Sequence, residues 1–82
     1  MAIVYTWKSK NLKSDEFEDV TELVLAMEGA ENGLTHRSLI TVSFGGNDIK
    51  AKSEWSDADI DAWAETYRAT LEATIASQFN HV

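Results

Sequence analysis

The stretch Trp55-Ser-Asp-Ala-Asp-Ile-Asp-Ala-Trp63-Ala-Glu-Thr-Tyr67-Arg-Ala-Thr-Leu71-Glu-Ala-Thr-Ile75-Ala-Ser-Gln-Phe79 decides the fold, because it reads as one long amphipathic helix over 57–79. Ser56 sits where its hydroxyl can accept from the backbone N–H of Asp59 while the Asp59 carboxylate reaches back, a short-armed capping box. Trp55 outside the cap and Ile60 within it have the spacing of a hydrophobic staple. Asp57, Asp59 and Asp61 put negative charge on the first turns, where the helix dipole favours it. Ile60, Trp63, Tyr67, Leu71, Ile75 and Phe79 then recur at three- and four-residue steps, forming one apolar stripe broadened by Ala64. Asp61, Glu65, Arg68 and Glu72 fall opposite, with Glu65 and Glu72 each one turn from Arg68. At about 1.5 Å per residue the helix is roughly 35 Å long. A stripe of that length needs a sheet to cover.

The rest of the chain supplies the sheet. Residues 3–12 alternate, with Ile3, Tyr5 and Trp7 on one side and Thr6, Lys8 and Lys10 on the other, and residues 11–16 are polar enough for a turn. Residues 17–28 carry two patterns. Phe17, Val20, Leu23, Val24 and Met27 fit a helical stripe that Asp15 would cap and Gly29 would close. The β-branched density and the alternation of Leu23, Leu25 and Met27 suit a strand. Asn32-Gly33 tips the reading to a strand, since both residues tolerate positive φ and form a strong hairpin dipeptide that needs a strand on each side.

Residues 34–44 give a third strand, with Ile40, Val42 and Phe44 on one face and Arg37, Leu39, Thr41 and Ser43 on the other. Gly45-Gly46-Asn47-Asp48 reads as a second hairpin turn, and residues 49–52 as a short edge strand with Lys50 and Lys52 outward. The expectation is a single α+β domain, an antiparallel three- to four-stranded meander packed on one C-terminal helix in a two-layer sandwich.

An 82-residue chain holds one core, and 44% hydrophobic with 26% charged residues is the composition of an ordinary globule. There are no cysteines, hence no disulfides or thiolate metal sites. No signal peptide or membrane-length apolar run is found, so the expected setting is the cytosol or a particle that the chain travels in, with no membrane partner. The net charge of −7 disfavours nucleic acid as a partner. Lys8, Lys10 and Lys13 precede an acidic run of Asp15, Glu16, Glu18, Asp19, Glu22, Glu28 and Glu31. Such a run reads as a solvated surface or as a seat for a basic partner.

No chemistry is spaced for catalysis. His36 and His81 have no second ligand at metal spacing, no nucleophile elbow surrounds a serine, and Gly45-Gly46 lacks the Lys and Ser/Thr of a phosphate loop. Asp57 and Asp61 cap rather than catalyse, and Trp7, Trp55 and Trp63 read as core. The expectation is a non-enzyme without cofactor or metal. Because Leu23-Val24-Leu25-Ala26 is apolar on both faces, one helix cannot cover both, and the uncovered side is a partner surface or a dimer interface. Its candidate residues are Glu18, Glu22, Val24, Ala26 and Glu28.

The order of a Val4-Tyr5-Thr6-Trp7-Lys8 strand, a valine-bearing strand, an acidic turn with Asn32-Gly33, a third strand and the helix start Trp55-Ser56-Asp57-Ala58-Asp59-Ile60-Asp61-Ala62-Trp63 resembles short uncharacterised proteins of tailed phages of marine cyanobacteria. Ser56 matches the cap, Ile60 the apolar position after it and Trp63 the helix tryptophan, whereas Met27 stands where the family has an aromatic. The resemblance implies a viral setting and a strand over 17–28, and carries no catalytic residue. Two functions follow as expectations. One is a non-enzymatic phage protein acting by protein–protein contact, as virion component or assembly factor. The other is an acidic effector that binds a basic host protein, imitating the charge of nucleic acid.

Overall fold

The computed structural model describes residues 2–80. Its elements are β1 (Val4–Ser14), β2 (Asp19–Glu31), β3 (Leu34–Ser43), β4 (Lys50–Ala51) and α1 (Asp57–Phe79), with 3₁₀ turns at Gly46–Asp48 and Lys52–Glu54. The sheet is antiparallel in the order β1-β2-β3, and β4 also pairs with β2. The α+β two-layer expectation is met. Residues 17–28 resolve as strand, not helix, displaced to begin at Asp19. Its partner across the Asn32-Gly33 turn is β3, with φ of 53° and 80° at those two positions.

The helix begins as its sequence dictates. Asp59 N–H donates to Ser56 Oγ at 3.2 Å and Ser56 N–H to Asp59 Oδ2 at 3.0 Å. Its stripe closes over the sheet to form a core of Val20, Leu23, Leu25, Met27, Val42, Phe44, Ala64, Leu71 and Ile75, flanked by Trp55, Ile60, Trp63, Tyr67 and Phe79. Phe44 lies 4.8 Å from Trp63 and 5.1 Å from Trp55, ring centre to ring centre, so both tryptophans pack against the core as partly buried residues. At the other end Phe79 meets His36 edge-on at 4.5 Å, and Gln78 Nε2 donates to the Arg37 carbonyl. The helix therefore runs alongside β2 in the same direction, and its C-terminal half reaches Gly29, where a Cβ would collide with Ile75.

Three expectations need correction. β1 continues to Ser14, and the turn is 15–18, because Asp15 Oδ1 accepts from Phe17 N–H and Asp19 N–H and draws the reversal there; Phe17 is left 82% exposed in the turn. A bulge at Lys8 shifts the register between Trp7 and Ser9, so Lys10 pairs with Leu25 and faces the helix layer. There its ammonium lies 2.8 Å from Asp61 and 5.1 Å from the Trp7 ring centre.

The third concerns 45–48, which is not a hairpin turn. Phe44 N–H donates to the Thr21 carbonyl and Lys52 N–H to that of Glu18, so the chain steps out through Gly45–Asp48 and returns to the same side of β2. β4 thus prolongs the lane of β3. Lys50 points toward the helix start, 3.0 Å from Asp59 and 4.8 Å over Trp55, rather than outward. No helix among the described residues is long and apolar enough to cross a membrane.

Candidate functional site

The helix covers one face of the sheet and leaves the other open. Along β2, residues 23, 25, 27 and 29 are buried beneath α1, so period-two alternation sends Glu22, Val24, Ala26, Glu28 and Ala30 to the open side. Four of the five sequence candidates, Glu22, Val24, Ala26 and Glu28, are thereby brought into one stripe on the central strand. Glu18 is not with them. It lies beyond the strand's start, in the β1–β2 turn, with a left-handed φ of 64°.

Register supplies the neighbours that sequence reasoning did not assign. Ala26 is flanked by Ser9 and Leu39, Glu28 by Thr6 and Arg37, Val24 by Asn11 and Thr41, Glu22 by Lys13 and Ser43, and Ala30 by Val4 and Thr35. Leu39 is 66% exposed and Val4 64%. Because Ala26 carries only a methyl group between two longer neighbours, the face dips there into a hollow of about 400 Å³ lined by Lys8, Ala26, Arg37 and Leu39 among others. The exposed Leu39 was visible as an outward residue of strand three. The β1 residue on the far side of Ala26, Ser9, depends on the β1 bulge, which has no sequence signature here.

Charge on this face is nearly even. Arg37 Nε donates to Glu28 Oε2 at 2.9 Å, and that bond, aided by the nearby Lys8, holds the Glu28 carboxyl below the usual carboxylate range. Lys8, Lys13 and Arg37 face two carboxylates, Glu22 and Glu28, in a chain of net charge −7. The acids gather elsewhere. Asp15, Glu16, Glu18 and Asp19 lie in and beside the β1–β2 turn, which the Asp19–Ala51 pairing sets next to Glu54 and the helix start with Asp57. Phe17 stands out among them above a second hollow of about 350 Å³ lined by Phe17, Glu18, Ala51, Lys52 and Ser53.

No group of three or more His, Asp or Glu among the described residues is placed to hold a metal. His36 is taken up by Phe79, and His81 lies outside the described residues. Trp7 lies at the rim of the core with Lys10 on one hand and Arg68, 5.5 Å from its ring centre, on the other. Such an arrangement suits packing and weak cation attraction. Fold and site together define a small two-layer α+β protein with one sheet face left without a covering layer. No protein-family model matches the chain, and neither a curated protein nor a solved structure does.

Proposed function

We propose that this chain is a small non-enzymatic protein that acts by protein–protein contact through the open face of its sheet, as a phage virion component or assembly factor. The observation that carries the contact reading is the half-buried stripe Glu22, Val24, Ala26, Glu28 and Ala30 on the central strand, with exposed Leu39 beside it. Most residues of this face are polar, as on any antiparallel sheet that meets water on one side, but Val24 and Ala26 lie together at its centre with exposed Leu39 beside them, and Val4 and Ala30 share a row toward one end. The phage setting rests on the resemblance of the Tyr5-Thr6-Trp7 strand and the Ser56-capped helix to cyanophage proteins. A photo-crosslinking residue at Thr41, on the open face, is expected to give protein adducts in infected cells and in purified virions. The same residue at Ala73, on the solvent side of α1, is expected to give none. Adducts from Ala73 alone would remove the open face from the function.

A second reading has its own observation, the gathering of acids around Phe17 at one end of the molecule. In that reading the end docks on a basic host protein, with Phe17 as the apolar anchor. Capture from host lysate should then fall steeply as salt is raised tenfold, since exposed charge pairs are screened over about 10 Å at 0.1 M. Binding indifferent to salt would exclude it.

A further inference from the structure

We propose that the open face seats a second copy of the same chain, giving a helix–sheet–sheet–helix dimer about a two-fold axis that crosses the strands over Ala26 and Leu39. This rests on the reading of the open face as a contact surface and names its occupant.

Charge selects the occupant. Two copies carrying −7 each repel through most of their surface, but the open face sets Lys8, Lys13 and Arg37 against only Glu22 and Glu28. A face without surplus acid offers a basic partner little attraction and an identical face little repulsion. Register then selects the axis. A two-fold along β2 would lay Glu22 on Glu22 and Glu28 on Glu28, like charges opposed. A two-fold across the strands, over the Ser9–Ala26–Leu39 row, lays Glu28 on Val24 of the second copy, Glu22 on Ala30, Arg37 on Thr41 and Leu39 on Leu39.

Shape and area agree. The molecule measures 45 × 20 × 18 Å with a radius of gyration of 14.7 Å, against about 12 Å for a compact chain of this length. Its accessible surface is 5424 Å², where a compact monomer of this mass exposes about 4,900 Å². Three strands about 4.8 Å apart and nine residues long present roughly 430 Å² per copy, so the pair buries about 900 Å² before side-chain relief, below the roughly 1,200 Å² of specific, stable interfaces and within the range of weak, transient ones. The dimer is therefore reversible and concentration-dependent.

Sedimentation equilibrium of the full chain over a roughly hundredfold concentration range tests this by mass action. Wild type is expected to pass from monomer toward dimer. Leu39→Asp and Leu39→Lys are each expected to weaken association at least tenfold with unchanged circular dichroism and melting, because Leu39 adds little to the monomer's core. Mixed together, the two variants should form a heterodimer that salt weakens, since the axis brings position 39 against itself. Overturning results are a wild type that is monomeric throughout, a dimer that survives Leu39→Asp, or a mixture that fails to associate. A monomer whose Thr41 adduct contains a different protein removes the second copy and keeps the contact reading, whereas a monomer without any Thr41 adduct removes both.

Discussion

At Gly29 the helix packs directly on the sheet. A Cβ there would meet Ile75 Cγ2 head-on and lie 2.9 Å from Ile3 Cγ2, both of them branches of packed side chains. Gly29→Ala is expected to destabilise by about 1–3 kcal/mol, the usual range for overpacking. The offending Ile75 atom is absent from leucine, so in an Ile75→Leu background the same change should cost less; urea titration of the four-member cycle measures the coupling. Equal costs in both backgrounds would mean that the helix shifts as a body. Glu18 presents the opposite case, a non-glycine residue held at φ 64°. Its carbonyl is bonded to Lys52 N–H and its own N–H to the Asp15 carbonyl, so the conformation is imposed by its surroundings. Glu18→Gly should raise stability by about 0.5–1 kcal/mol, the relief of left-handed strain outweighing the added chain freedom. A fall in the urea midpoint would refute that.

The elements differ in how far their residues announce them. The helix was legible to both ends, because cap, staple, dipole charge and apolar stripe all agree on 57–79. β2 was legible as a strand only through its neighbour, the Asn32-Gly33 turn, since its own apolar residues fit two periods. The phase of β1 beyond Trp7 was not legible. One extra residue at Lys8 sends Lys10 to the helix side, and no residue type there marks a bulge. The open face suffered for the same reason: its central stripe follows from alternation alone, but its flanks follow from register. Gly45-Gly46 announced a turn correctly and its direction not at all, because direction is set by Phe44 N–H and Lys52 N–H finding carbonyls on or beside β2. The helix start also carries a pH signature. The Ser56 backbone N–H, then the Lys50 ammonium, hold the Asp59 carboxyl below its ordinary value. A carboxyl depressed in the folded chain stabilises it fully above the unfolded-state value, about 4 for aspartate, and that contribution is lost as pH falls through the lower native value. Glu65, lowered by its bond to Arg68, acts in the same direction. The urea midpoint of wild type should therefore drop below about pH 4, the unfolded-state range, and Asp59→Asn should drop less steeply. Parallel profiles would show that the cap does not contribute.

At the scale of the whole molecule, adjacent strands in the three-stranded meander are also consecutive in the chain, joined by short turns at 15–18 and 32–33, and only the short β4 and α1 must travel back over ground already laid. Contacts close in sequence form without the entropy of large loop closure, so assembly should be quick for a β-rich chain, with the β2–β3 hairpin as nucleus and helix docking late. Gly33→Ala, at φ 80°, is then expected to slow refolding. Leu71→Ala, which removes a side chain only 1% exposed and costs about 2–5 kcal/mol, should act mainly by hastening unfolding. Stopped-flow chevrons separate the two arms, and a Leu71→Ala variant whose loss lies in the refolding arm would place the helix in the nucleus instead. A chain that knits its hairpin before its cover arrives also spends the interval with both sides of that hairpin bare, so the order of events in time leaves it adhesive on two surfaces first and on one thereafter.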